Sequence, residues 1–404
     1  MPNKTHDYGD LRITLTSEFD WRWDDTGTGA RRDGAFWHPK PQDDLRPVGS
    51  VVFEGHPNPN NNWAALLIGD SRPPHARHSP AVRSPERYDW VWSDKGSGGK
   101  HDVSVWRPVA PAGYVALGDV AVRGGSAPGI DEIYCVREDL VRPATYEDNP
   151  TWDDKGSGGK WDASFWRIYP RAPSASDDKE WIPVVAGSFR FSAGYGQPSY
   201  TLARVPLLHL PPRLKEFSNE PPALAPDRIP ENGETFNKME QSSITLPFTS
   251  FFDPNDRISL DNIHNPFCTV TKNVAWVVHE KATNNTASPA TTNITITKGG
   301  RQSFSREMEH QAGIEIEKEA GVFGLGKFKV TLNYQFRYSE TSASEIYKEQ
   351  TIHQSVTIPP HHVCVIWVRR AELYARRSDG SQITTQLNFS TNEEFAISEV
   401  PIRA

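Results

Sequence analysis

The sequence predicts a mainly β chain in two parts, and three observations lead there. Only 36% of the 404 residues are hydrophobic, while 13 Trp, 18 Phe and 12 Tyr stand beside 29 Gly, 33 Pro and 3 Met. That balance favours short strands and turns over helices. A Trp-to-Trp motif recurs three times in the first two hundred residues. Further on, Phe328 to Tyr338 alternates apolar and polar residues without a fault, the period of a strand with one apolar and one wet face.

The totals set bounds. A chain of 404 residues is too long for one ordinary core, so two or three domains are expected. The formal charge of −7, with basic residues scattered, argues against a nucleic-acid partner. Cys135, Cys268 and Cys364 are odd in number and far apart, so no disulfide framework is implied. The opening MPNKTHDYGDLRITL lacks the basic start and apolar run of a Sec signal, and no window approaches 18 consecutive apolar residues. The expectation is a soluble protein, secreted by another route, released by lysis, or freed of a leader.

The repeat comes first because it governs every local reading. The copies are WDDTGTGARRDGAFW from Trp23, WSDKGSGGKHDVSVW from Trp92 and WDDKGSGGKWDASFW from Trp152. After each comes an apolar strand, expected at Val48–Phe53, Tyr114–Val120 and Ile182–Phe189. Paired Gly supply positive φ for a tight turn, and the Asp carboxylates can bond the turn backbone. With Trp filling a shared axis, three such sheets closing on one another make a threefold pseudo-symmetric β-prism over residues 1–212.

The same turns hold the candidate ligand-binding residues, Asp25, Gly27 and Asp33, Asp94, Gly96 and Asp102, and Asp154, Gly156 and Asp162. Carboxylates and backbone amides beside a Trp face suit sugar hydroxyls and C–H surfaces. The competing reading is turn architecture, which a threefold scaffold needs in any case. The GSGGK run lacks the glycine frame and following Ser or Thr of a phosphate loop.

Leu11 to about Pro212 resembles the vacuolar protein sorting protein 62 family, marked by W-D-D-x-G-S-G and by W-R-P followed by L-G-D-V. Trp106-Arg107-Pro108 and Leu117-Gly118-Asp119-Val120 match that pattern. Copy one departs from it with Trp37-His38-Pro39, and copy three with Trp166-Arg167-Ile168.

Residues 213–240, rich in Pro and charge with no period, read as an extended linker. Residues 241–404 then form a second domain of Ser/Thr-rich antiparallel strands. Ser355 to Val368 reads as two strands around a proline corner, and Arg369 to Phe389 as a hairpin turning at Ser378-Asp379-Gly380.

Within this domain lies an amphipathic hairpin at about residues 303–344. Its apolar face carries Ile314, Ile316, Phe328, Val330, Leu332, Tyr334, Phe336 and Tyr338; its polar face carries Glu315, Glu317, Lys327, Lys329, Thr331, Asn333 and Gln335. Val322, Phe323 and Leu325 occupy a Gly-hinged tip where a soluble hairpin carries Asn or Asp. A membrane-spanning strand needs about 9–11 residues, and Phe328 to Tyr338 is long enough. Pairing the arms about Phe323 sets Glu317 opposite Lys329, which suits a lumen of compensated charges. One hairpin cannot close a barrel, so several copies of the chain are required.

Residues from about Ile244 to Pro401 resemble the aerolysin-like pore-forming proteins, including the epsilon-toxin and mosquitocidal-toxin family. The likeness lies in the order Ser/Thr strand, amphipathic hairpin with apolar tip, Ser/Thr strand, then Val356-Thr357-Ile358-Pro359-Pro360-His361 and a closing hairpin. It implies an aerolysin-like pore-forming domain in a soluble toxin, cytolytic or insecticidal. Such a toxin binds a receptor, a glycan among the candidates, on a target-cell membrane, forms a homo-oligomer and refolds its hairpins into a β-barrel. Val322, Phe323 and Leu325 would cross first.

The alternative is a non-lytic lectin or adhesin. An enzyme is disfavoured because the Asp residues belong to the repeat and no unrepeated acid pair stands out. No cofactor is implied. His362 and Cys364 share a strand face without two further ligands, so no metal is expected.

Overall fold

The structure is a computed structural model that describes residues 2–72, 79–171, 181–210, 215–218, 220–298, 314–317, 322–325, 328–330, 350–382 and 387–402. Strands make up 51% against 4% helix, so the chain is mainly β. Two compact units divide it. Met1–Ser174, Glu180–Leu210 and Pro247–Phe267 form the first; Ala175–Lys179, Pro211–Leu246 and Cys268–Ala404 form the second.

In the first unit each copy of the repeat builds three antiparallel strands, which in copy three are part of a six-stranded sheet. Copy one supplies β1 (Phe19–Asp24), β2 (Gly34–Pro39) and β3 (Val51–Glu54); copy two supplies β4 (Arg87–Ser93), β5 (Val103–Val109) and β6 (Val120–Arg123). Copy three supplies β7 (Trp152–Asp153), β8 (Ala163–Pro170) and β9 (Phe189–Ala193). Bulges between Trp21 and Trp23 and between Trp90 and Trp92 offset the register just before the motif Trp of the first two copies.

Trp23, Trp92 and Trp152 are fully buried and meet edge to face, with centroids 6.4 Å, 6.2 Å and 5.3 Å apart. Phe36, Phe165 and Phe189 pack around them. Edge-to-face pairs add about 0.5–1.5 kcal/mol each beyond area burial. Gly34 is obligatory here, because a Cβ on it would lie 2.3 Å from the Trp152 ring. The closing tryptophans Trp37, Trp106 and Trp166 stand outside this cluster.

Hydrogen bonds pass round the ring in one sense. The Nε1–H of Trp23 donates to His101 O at 2.7 Å, that of Trp92 to Trp161 O at 3.0 Å, and that of Trp152 to Arg32 O at 2.8 Å. Each acceptor is the residue before the second Asp of the next copy. Backbone bonds run back the other way, from Lys100 N to Thr26 O, Lys160 N to Lys95 O and Arg31 N to Lys155 O. Three copies thus close a threefold prism.

Two expectations about this unit change. Tyr114–Val120 and Ile182–Phe189 are each broken, into Tyr114–Val115 with Val120–Arg123 and Trp181–Pro183 with Phe189–Ala193. The intervening backbone bonds between copies instead, Ser50 N to Asp119 O at 3.0 Å and Asp119 N to Phe189 O at 2.9 Å. In addition, Pro247–Phe267 belongs with the first unit, tied by Ala64 N to Pro254 O and Lys4 N to His264 O.

The strands of the second unit are β10 (Thr235–Pro247), β11 (Phe267–Asn284), β12 (Ala290–Lys298), β13 (Ile314–Glu317), β14 (Val322–Leu325), β15 (Phe328–Val330), β16 (Gln350–Ile358), β17 (His362–Arg377) and β18 (Leu387–Pro401), all but β13, β14 and β15 longer than any named in the first unit. The main sheet has the order β10-β11-β17-β18, and β12 pairs with β16. The centre of β11 is buried on both faces, which explains its unbroken Val274-Ala275-Trp276-Val277-Val278 run. Val277 packs with Ile294, Ile296, Val356, Ile366 and Val368. Trp276 donates Nε1–H to Ser218 O at 3.2 Å and lies by Phe217.

That contact corrects the linker at 213–240. Phe217 is buried, with the Arg369 guanidinium over its ring at 4.8 Å, and β10 already begins at Thr235. Phe217, the Trp276 bond to Ser218 O and a backbone bond from Lys215 N to Gln241 O hold the 215–218 stretch against the sheet.

The hairpin is corrected as well. β13 pairs with β14 (Glu317 opposite Val322), and β14 pairs with β15 (Gly324 opposite Lys329). Val322, Phe323 and Leu325 therefore form the middle strand of a three-stranded meander, and Glu317 does not face Lys329. Val and Phe are strong strand formers, so this run takes ladder bonds instead of capping a turn. Lys327, Thr331, Leu332, Asn333, Tyr334, Gln335, Phe336 and Tyr338 lie outside the described residues. No helix among the described residues is long and apolar enough to cross a membrane, a statement that does not bear on strands.

Candidate functional site

The nine turn residues fall into three superimposable sets. Asp25, Asp94 and Asp154 are buried, and each accepts through Oδ1 from the backbone N–H nine residues on, Gly34 at 3.1 Å, Val103 at 2.9 Å and Ala163 at 2.9 Å. Gly27, Gly96 and Gly156 sit at φ of 92°, 89° and 88°. Asp33, Asp102 and Asp162 are exposed, and their carbonyls accept from Gly55, Gly124 and Gly194 N–H. The first Asp of each set thus holds the loop closed. Burial raises the Asp94 and Asp154 carboxyls above the ordinary range against the pull of the Val103 and Ala163 amides.

Above each turn the copies differ. His56 Nε2 meets Asp25 Oδ1 at 2.5 Å in copy one, and the Tyr195 hydroxyl donates to Asp162 Oδ1 at 3.0 Å in copy three. Asp25, Asp33 and His56 place their ligand atoms within 4.8 Å of one another, with one Asp25 oxygen already shared between His56 and the Gly34 amide.

A second threefold set is the one that W-R-P and L-G-D-V hinted at without showing their connection. In copy two the Arg107 fork grips Asp119, Nε to Oδ1 at 3.1 Å and Nη2 to Oδ2 at 2.9 Å. Arg190 adds Nη1 to Oδ1 at 2.7 Å, and Phe191 N–H donates to Oδ2 at 2.8 Å. Asp119 is wholly buried; burial alone would raise its carboxyl, but Arg190 and Arg107 hold it below the usual range. The two halves of the signature are one buried ion cluster.

Copy one replaces this with His38 Nδ1 and Ser50 Oγ at 2.9 Å. Burial and nearby Arg22 push the His38 imidazole down to about 3, so its 3.3 Å approach to Glu132 is not an ion pair. In copy three Arg167 faces Phe189 across the ladder, with no carboxylate there. Its Nε and Nη2 donate instead to Val52 O at 3.0 Å and 2.7 Å. The one site therefore appears as a neutral pair, a carboxylate shared by two arginines and an arginine bonded to a carbonyl.

Copy one also carries Ala35 where the others have Ser104 and Ser164. Those hydroxyls accept from Trp106 and Trp166 Nε1–H at 2.9 Å each and donate to Gly124 and Gly194 carbonyls. The buried Trp37 Nε1 has no acceptor among the described residues.

In the second unit the described candidate hairpin residues, Ile314 to Glu317, Val322, Phe323, Leu325 and Phe328 to Val330, lie on β13, β14 and β15. The segment containing them, residues 299–349, is bracketed by one paired position, Lys298 opposite Gln350. Behind that pair, β12 and β16 bury Ile294, Ile296, Val356 and Ile358 on one face. The exposed face carries cross-strand polar pairs, Thr291 with Thr357, Asn293 with Ser355 and Thr295 with His353. Cys135, Cys268 and Cys364 are buried and form no disulfide among the described residues.

Residues 65–195, which take in copies two and three, match the family model of the vacuolar protein sorting-associated protein 62. No curated protein matches the chain. Among solved structures, GNIP1Aa from Chromobacterium piscinae is similar at 26% identity, covering 46% of this chain and 34% of that one, with a TM-score of 0.37. This chain thus spans about a third of the GNIP1Aa length. Cry35Ab1 is similar at 11% identity, covering 98% of this chain and 90% of that one, with a TM-score of 0.36.

Proposed function

We propose that this chain is a β-pore-forming toxin whose threefold unit binds a target-cell surface, after which several copies assemble and open residues 299–349 into a membrane-spanning hairpin. One observation carries the reading. The segment is bracketed in sequence by the Lys298–Gln350 pair, the end of a ladder with one apolar and one hydroxyl-rich face, and the sequence from Phe328 to Tyr338 carries the same strand-period alternation. A barrel strand needs that two-faced pattern, and a ladder already in antiparallel register can be extended without moving its base.

On this reading the meander must come apart, because a continuous hairpin brings Glu315 and Glu317 opposite residues beyond Lys327. A Glu315→Cys/Gly324→Cys variant, crosslinking positions that face each other across β13 and β14, tests this. Oxidised protein should release no dye from phosphatidylcholine vesicles, and reduction should restore release together with an SDS-resistant oligomer. Equal leakage from a verified crosslinked sample would remove the hairpin from the mechanism.

A further inference from the structure

The prism has three joints between copies, and at each the side chain after the closing Trp reaches toward the neighbouring copy. His38 is neutral and paired with Ser50. Arg107 shares Asp119 with Arg190 and also donates to Phe191 O at 3.1 Å. At the joint from copy three to copy one, Phe189 stands opposite Arg167, so that arginine has no carboxylate in the place of Asp119.

The receiving side of that joint is also singular. Phe53 faces Ala35 across its ladder, and the matching positions in the other copies are Val122 facing Ser104 and Ser192 facing Ser164. Copy one alone therefore offers an aromatic ring there. Phe53 and Trp63 meet edge to face at 5.3 Å, and the Arg167 guanidinium lies over both rings, 5.2 Å and 4.9 Å from their centroids.

These groups line a cavity of about 700 Å³, inside the ~300–1,000 Å³ range of small-ligand sites. Its opposite wall is fixed in advance. Glu147 accepts from Thr151 Oγ1–H at 2.7 Å through one oxygen and from Tyr169 O–H at 3.0 Å through the other. Arg32 bonds the Pro150 and Thr151 carbonyls and pairs with Glu54 at 3.1 Å. Asn62 donates to the carbonyls of Asn58 and Asn60, pinning the loop that carries Trp63.

We infer that the joint between copies three and one is a subsite for a neutral sugar, seated against Trp63 and hydrogen-bonded by Arg167 and Glu147. The lining charges nearly cancel, Arg32 and Arg167 against Glu54, Glu147 and Asp148, so neither a polyanion nor a cation has a net field to answer. What is left is a partly open indole, a planar donor and a fixed carboxylate acceptor. Vicinal hydroxyls that both donate and accept, on a ring with an apolar C–H face, match that set. This assignment rests on reading the threefold unit as the surface-binding part, and it moves the contact away from the repeated Asp/Gly turns.

Methyl glycosides of galactose, glucose, mannose, N-acetylglucosamine and N-acetylgalactosamine, titrated into the full chain by calorimetry and saturation-transfer NMR, test it. At least one should bind. Trp63→Ala and Arg167→Gln should each weaken it tenfold or more, Trp63→Phe less, while Asp102→Asn leaves it unchanged; near-ultraviolet circular dichroism checks that each variant is folded. No binding to any glycoside, or binding that follows Asp102 and ignores Trp63 and Arg167, overturns the assignment. Dye release from phosphatidylcholine vesicles carrying a glycolipid that displays the same sugars, measured on the same proteins, separates the two readings. Leakage without sugar binding overturns the subsite alone, and sugar binding without leakage leaves the subsite standing and counts against the pore.

Discussion

The first unit and the second are both antiparallel β, yet they secure their strands differently. In the prism, stability is concentrated in partners that cannot be exchanged: three tryptophans on an axis, one carboxylate between two arginines, and indole N–H bonds that each need a particular carbonyl of the next copy. In the β12–β16 ladder the exposed face repeats hydroxyl and amide pairs of much the same chemistry, so only the buried Ile294, Ile296, Val356 and Ile358 face fixes register. Under the proposed function, a surface-binding part would have to keep its shape and a membrane-entering segment would have to re-pair, and the two regions differ in that sense.

The comparison breaks most visibly at the axis. Trp92→Ala should cost about 3–5 kcal/mol and lower the melting temperature of the first unit, while backbone hydrogen-exchange protection in β11 and β17 is retained. Loss of protection in both units together would mean that the second depends on the first.

Next comes Asp119→Asn, which leaves Arg107 and Arg190 without a full counter-charge and should cost about 3 kcal/mol at neutral pH, at the low end for breaking a buried pair. Because the folded Asp119 carboxyl is held below its ordinary value, its contribution is present above the unfolded value of about 3.9 and is lost as pH falls through the lowered folded one. Melting temperatures of the wild type and the variant should therefore converge in acid; a constant gap down to pH 2 would contradict the assigned charge.

A gain is expected from repairing the symmetry. Ala35→Ser supplies the acceptor that Trp106 and Trp166 already have and that the buried Trp37 Nε1 lacks, and should stabilise by about 1 kcal/mol. No rise in denaturation midpoint would show that the first copy is not built like the others.

The smallest effect belongs to the ladder. Ser355→Ala removes a 2.6 Å bond to Asn293 on the exposed face and should change stability by less than about 0.5 kcal/mol. A loss several times larger would show that the polar face is as specific as the prism.

Much of the prism was legible in the sequence, because Trp, Asp, Gly and Trp recur at fixed offsets and each residue type has one plausible duty in a tight turn. The bond between Arg107 and Asp119 was half legible, since both motifs were visible but only strand pairing brings them together. The cavity was not legible, because Phe53 and Arg167 meet only when the ring closes. The signal was present in the departures of copies one and three from W-R-P and L-G-D-V, with Ser50 and Ser188 after the glycine where copy two has Asp119. In the second unit the long strands followed from Thr, Ser and Val content, while Phe217 was hidden among prolines. Val322–Leu325 was read as a tip because its glycines outweighed the strand preference of Val and Phe.

The direction in which bonds pass round the prism bears on how the chain matures. Trp152 hands its N–H back to Arg32, 120 positions earlier, so the ring cannot shut until copy three has been made. A chain that has delivered only two copies holds Trp23 and Trp92 with an open side and no third indole to cover them. Closure over so long a separation is slow compared with local hairpin formation, which gives the nascent chain an interval in which its most apolar surface is free.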